Sequence, residues 1–387
     1  MSYTVLAPPQ SKKYLRLAVA AFFFVQGLSF AAWASRIPDI KNMLHLTEGG
    51  LGTVLLALPL GLMASLPISG WMVTKYGSKK MVLFGAILYA VTLTFIGFAT
   101  RTEHLVIVLF AFGLWGNLCN IAVNTQAVAV EQVYGKSIMA SFHGLWSLAG
   151  FVSAMIGTFF ISVNIPPHIH FMVIAVAAFA IIFTAYKHTM PDSEKTAGEE
   201  QPMFVKPDRD LLMLGLIGFC AMVCEGAMFD WSGVYFMEVV KVPASMKTMG
   251  YVAFMGTMTG GRFAGDWLAN KIGRKKMLQV SGLFMATGMA LAVFFPFMAS
   301  ATFGLLLVGF GVSSVVPLVY SAAGKSTTMS AGMALAAVSS ISFIGFLIGP
   351  PLIGIVAQMA DLRFSFAVVG ALAFCTTLLS SRAKLIQ

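Results

Sequence analysis

Charge is what this chain has least of. Only 10% of its 387 residues are Asp, Glu, Lys or Arg, against roughly a quarter in a soluble domain. With 58% hydrophobic residues, too little polar side chain remains to cover a water-soluble surface. Cysteine is scarce as well. Cys119, Cys220, Cys224 and Cys375 lie inside apolar runs without zinc-site spacing, and they read as reduced packing residues. No Gly-x-x-x-x-Gly-Lys-Ser/Thr loop occurs, which excludes a pump with its own ATP site. No nucleophile motif or metal-ligand cluster appears, so neither an enzyme nor a cofactor is expected. The net charge of +10 would suggest nucleic acid in a soluble protein. Here the cations flank apolar runs, where they set membrane topology, and no nucleic-acid partner is expected.

What the chain does have is apolar length. A bilayer crossing needs about 20 apolar residues. Twelve runs meet this, at roughly 14–35, 50–73, 80–99, 104–129, 138–163, 168–188, 211–238, 247–269, 277–297, 300–321, 330–357 and 362–381. The first mimics a signal peptide, with Lys12, Lys13 and Arg16 ahead of it and Ala32-Trp33-Ala34 resembling a cleavage site. Its length and the spans that follow mark it as an uncleaved first helix. The expected fold is therefore all-α, with twelve transmembrane helices. The one long polar stretch, rich in Pro, Glu and Lys, separates the spans six and six. The expected domains are a bundle over 1–189, a linker over 190–210 and a bundle over 211–387.

Orientation follows from the cations. Of the 25 Lys and Arg, Arg262 falls within a span. Arg36, Lys41, Arg101, Lys241, Lys247 and Arg363 fall on one side, and all the others on the side of the N-terminus. The positive-inside rule then places both termini and the linker in the cytoplasm of a multi-pass cell (inner) membrane protein. An internal repeat supports the division. Gly77-Ser78-Lys79-Lys80-Met81 returns 196 residues later as Gly273-Arg274-Lys275-Lys276-Met277. Gly113 and Gly309 share that offset, and Gln26-Gly27 in the first span returns as Glu225-Gly226 in the seventh.

The stretch from Gly70-Trp71-Met72 to Lys79-Lys80 resembles the loop signature of the major facilitator superfamily. The stretch Gly265-Asp266-Trp267-Leu268-Ala269-Asn270-Lys271-Ile272-Gly273-Arg274-Lys275-Lys276 is a fuller copy. Thr74 and Asn270 stand where that family often has Asp. The motifs Trp33-Ala34-Ser35-Arg36-Ile37-Pro38, Phe142-His143-Gly144-Leu145-Trp146-Ser147 and Asp230-Trp231-Ser232 look like a bacterial branch near the fucose-permease-like members. The resemblance implies the major facilitator fold, with two six-helix bundles and alternating access around a central site.

Polar residues inside apolar spans are costly and mark function. Glu225 and Asp230 lie in the seventh span, and Glu225 is the deeper acid. Both are candidates for proton coupling, with Glu225 first. Asn117, Asn120 and Asn124 share one face of the fourth span. Their amides suit a neutral hydroxylated ligand, though they could equally join helix to helix. Gln26, Ser29 and Trp33 form a stripe on the first span, and His143 and Trp146 share a face of the fifth. Gln26, Trp33, Asn117, Asn120, Asn124, His143, Trp146, Glu225 and Trp231 are the candidate substrate contacts. Arg36 and Asp230 are expected to pair as an outer gate, and Arg262 with Asp266, at i, i+4, as an inner one. The expected function is secondary active transport: proton-coupled symport of a small polar, sugar-like molecule by a monomer. The alternative is proton-antiport export of drugs or metabolites, which the abundance of Met and Phe would suit.

Overall fold

A computed structural model describes residues 11–135, 138–191, 207–323, 326 and 331–383, apart from the side chains at 67, 140, 266, 331–333 and 336. Among these residues the regular structure is helical. Lipid offers backbone groups no hydrogen bonds, so a spanning segment must satisfy its own, as a helix does. In chain order the helices are α1 (Lys12–Met43), α2 (Glu48–Leu55), α3 (Ala57–Tyr76), α4 (Ser78–Ile96), α5 (Thr102–Tyr134), α6 (Met139–Ser162) and α7 (Pro167–Tyr186). Then follow α8 (Arg209–Glu238), α9 (Met249–Ile272), α10 (Arg274–Phe294), α11 (Met298–Ala323), α12 (Ala331–Met359) and α13 (Leu362–Arg382). Eleven stretches among the described residues are long and apolar enough to cross a membrane, Glu48–Leu66 running from α2 into α3. Helix α9, which carries Arg262 and Lys271, completes the twelve crossings.

The chain forms two compact units. One comprises Met1–Arg36 with Ala57–Ala197, the other Ile37–Leu56 with Gly198–Gln387. The end of α1 and all of α2, placed in sequence with the first bundle, thus pack with helices of the second half. Most of the expected linker, 192–206, lies outside the described residues.

In the first unit, α1, α4, α5, α6 and α7 share a core built on Leu15, Phe22, Phe23, Val82, Leu118 and Phe142. In the second, α8 lies against α12 and α13, while α11 joins α9 and α10. The sequence repeat is also a structural one. Gly113 of α5 sits where an added Cβ would meet Leu58 O at 2.0 Å, and Gly309 of α11 where it would meet Phe254 O at 2.2 Å. Each lets its helix touch the backbone of the helix two before it.

Gly77 and Gly273 open α4 and α10 at φ 89°, ψ 148° and φ 85°, ψ 146°. Both have open space where a Cβ would go. Their requirement is therefore conformational, since a side chain at such a φ is strained. Gly273→Ala is expected to cost about 1–3 kcal/mol and to lower the melting temperature of the purified protein. Gly260→Ala, in open space within α9 and without a positive φ, is expected not to lower it.

Candidate functional site

In the second unit the site is built on α8, whose stretch from Cys220 to Phe229 is buried throughout. Glu225 is 5% exposed. An unpaired carboxylate there would be expensive, and a cation answers it from the next helix. Arg262 of α9 donates through Nη2 to Glu225 Oε1 at 3.2 Å. The i, i+4 spacing had pointed Arg262 to Asp266, whose side chain lies outside the described residues. Tyr320 of α11 lies within electrostatic reach of the same carboxylate.

Asp230, further along α8, is half-buried, and among the described residues no hydrogen bond or ion pair reaches it. Tyr251 of α9 lies within its electrostatic reach, and the buried Tyr251 hydroxyl has no hydrogen-bond partner among the described residues. The neighbouring Trp231 is fully buried, with its indole N–H likewise unpartnered. Rings of Phe229, Phe254 and Phe346 pack around this part of α8.

In the first unit, polar groups gather where α1, α5 and α6 meet. Gly27 permits the approach, since an added Cβ there would lie 2.1 Å from Trp146 O. Gln26 donates through Nε2 to Gly116 O at 3.1 Å, which sets the orientation of its amide and leaves Oε1 buried without a partner among the described residues. Asn117, next to Gly116, is 7% exposed, and its Nδ2 is also buried without a partner. Ser29 Oγ and Trp33 Nε1 complete an unsatisfied stripe along α1. Buried polar atoms are nearly always hydrogen-bonded, so four such atoms together call for an explanation.

The other expected contacts stand differently. Asn124 Nδ2 donates to Asn120 O at 2.8 Å, so part of that amide face is used within α5 itself. His143 is exposed and lies edge-on to Phe23, with ring centroids 5.1 Å apart. Trp146 lies tilted against Phe30 at 5.9 Å.

Arg36 is anchored within the first unit. Its Nε donates to His170 Nδ1 at 3.1 Å and its Nη2 to Ile165 O at 2.8 Å. His170 is fully buried, and its acceptor Nδ1 places the ring proton on Nε2, which has no partner among the described residues. Sequence reasoning missed this histidine. The only available signal was its position on the apolar face of α7, 134 residues from its partner.

Fold and site together define a multi-span helical membrane protein with a repeated plan and ionisable groups buried inside its helices. Comparisons with known proteins take this further. The family model of the Major Facilitator Superfamily matches residues 17–331. The chain is 33% identical over 361 residues to an uncharacterized MFS-type transporter of Yersinia pestis, covering 93% of both chains. In structure it resembles the nucleoside transporter NupG, with TM-score 0.79 and 12% identity over 96% of this chain and 100% of the other. It also resembles a D-xylose-proton symporter, with TM-score 0.77 and 12% identity over 96% of this chain and 97% of that one. The chain belongs to the Major Facilitator Superfamily, with the twelve-helix fold of that family, and is a transporter rather than an enzyme.

Removing one partner of a buried ion pair strands the other. Arg262→Met is therefore expected to destabilise the purified protein by about 3 kcal/mol. Glu225→Gln combined with Arg262→Met is expected to recover most of that loss. Melting temperatures of the two single variants and the double variant measure it, and additive losses would contradict the pairing.

Proposed function

We propose that this protein is a secondary active transporter working by alternating access, and that it carries a small polar, neutral molecule into the cell together with a proton. The observation that carries this reading is the buried Glu225–Arg262 pair, with the unpaired Asp230 on the same helix. A carboxylate can trade a cationic side chain for a proton, so protonating Glu225 weakens its bond to Arg262 and alters the contact between α8 and α9. Coupling requires such a change, because a bound proton must favour one arrangement of the helices over the other. Glu225 is the primary proton carrier and Asp230 the second.

The substrate meets the unsatisfied stripe of the first unit. Gln26 Oε1 offers an acceptor, Asn117 Nδ2 and Trp33 Nε1 offer donors, and Ser29 Oγ offers either. None is charged, which suits hydroxyl and amide groups and disfavours an anion. Two proteins of similar fold, a nucleoside transporter and a D-xylose-proton symporter, are named for substrates of this character, which agrees with the reading. Trp146, His143 and Trp231 are further candidate contacts. The cation distribution supports an orientation with both termini and the linker on the cytoplasmic side of the inner membrane.

A screen of sugars, nucleosides and drug-like cations for thermal stabilisation of the purified protein is expected to return neutral hydroxylated molecules. In proteoliposomes that ligand should accumulate when the outside is acidic. Asn117→Leu and Gln26→Leu are expected to weaken its binding at least tenfold, since each lost hydrogen bond to a buried group costs about 1.5 kcal/mol. A screen returning only greasy cations, expelled rather than accumulated under the same gradient, would replace symport with antiport export.

A further inference from the structure

The polar stripe of α1 carries a flat ring as well. Gln26, Phe30 and Trp33 stand at i, i+4 and i+7, on one face of the helix. The half-buried Phe30 ring meets the half-buried Trp146 ring of α6, with centroids 5.9 Å apart and planes 35° from parallel. Two aromatic surfaces thus lie one helical turn beyond the Gln26 amide, between it and Trp33. All of these residues belong to the first unit.

The polar atoms beside the rings have fixed roles. Gly116 O can only accept, so Gln26 must turn its NH2 toward it, which commits Oε1 as an acceptor. Trp33 Nε1 can only donate. Asn117 follows Gly116 on α5, and its Nδ2 has no hydrogen bond among the described residues. Gln26 and Asn117 are both more than nine-tenths buried, so a ligand that supplied the missing bonds would gain from each. No Asp, Glu, Lys or Arg occurs over 17–35 of α1, over 105–130 of α5 or anywhere in α6. A hydroxyl donates or accepts as its surroundings require, so a polyol does not need partners of fixed role. An amide does: its N–H only donates, its C=O only accepts, and both lie in one plane.

We propose that the ligand of this site carries a planar amide, as a ring lactam or an aromatic carboxamide. Its N–H donates to Gln26 Oε1, its C=O accepts from Asn117 Nδ2, and its flat face lies against Phe30 and Trp146. This narrows the substrate class of the neutral, first-unit site proposed above and rests on that reading. Phe30 is then a specificity-determining residue. It offers the ligand no hydrogen bond and selects for flatness, since stacked rings gain more than their buried area alone supplies.

Thermal stabilisation of the purified full-length protein by titrated probes tests the proposal. Uracil, uridine and benzamide serve as planar amides, D-glucose and myo-inositol as polyols. At least one planar amide is expected to bind about tenfold more tightly than either polyol. Replacing each amide N–H of that probe by N–CH3 is expected to weaken it about tenfold. That comparison uses the parent protein, so it stands whether or not any variant folds. Phe30→Leu keeps an apolar side chain without the flat face and is expected to weaken the same amide about fivefold. A polyol binding more tightly than every planar amide would overturn the proposal and leave the neutral-substrate reading intact. So would an amide whose affinity survives methylation. Stabilisation by greasy cations and by none of these probes would remove both.

Discussion

The ion pair between Glu225 and Arg262 is the interaction on which the rest of the account turns. Burying one charge in a low-dielectric interior is prohibitive, and burying two is tolerable only if each answers the other. That requirement ties α8 to α9 at a defined register and explains why a span as apolar as α8 keeps a carboxylate. It also makes the pair a poor device for stability alone, since a hydrophobic contact of similar volume would serve as well or better. A pair that can be broken by one proton is useful in another way. On the proposed coupling, such a pair would let protonation shift the balance between two helix arrangements, which a transporter needs and a static scaffold does not.

The two units divide the chemistry. The second holds the ionisable groups Glu225, Arg262 and Asp230. The first holds neutral polar groups whose hydrogen-bonding capacity is unspent. Glu225-Gly226 and Gln26-Gly27 occupy corresponding places in the repeat, so one position carries an acid in one half and its uncharged amide counterpart in the other. The glycines that set helix contacts, Gly113 and Gly309, and the helix-opening Gly77 and Gly273 kept the same roles in both halves.

Much of this was legible in sequence, and for physical reasons. Lipid demands long apolar helices, so the apolar runs located the spans, and the resemblance of the loop motifs implied the family plan. Burial makes a carboxylate costly, so Glu225 and Asp230 stood out. Partners were harder to read, because spacing shows only neighbours along one helix. The i, i+4 register of Arg262 shows only Asp266, whose side chain lies outside the described residues, and gives no sign of its hydrogen bond to Glu225 on α8, 37 residues away. Arg36 was matched by its depth to Asp230, and its described hydrogen bonds reach His170 and Ile165. Nor did any pattern reveal that the compact units divide within α1, after Arg36. That division depends on tertiary contacts of Gly52, Pro38 and Lys41, none of which leaves a periodic trace. On the Asn face of α5, Asn124 bonds to Asn120, while Asn117 is buried and its Nδ2 has no hydrogen bond among the described residues.

The most direct measurement compares two modes of transport in one variant. Glu225→Gln keeps the shape and polarity of the side chain and removes its proton. In proteoliposomes loaded with the ligand identified by thermal stabilisation, this variant is expected to exchange internal for external ligand at close to the parent rate. It is also expected to fail to concentrate the ligand under an inward proton gradient. Gradient-driven accumulation at the parent level by Glu225→Gln would contradict the account and remove the buried pair from the coupling mechanism.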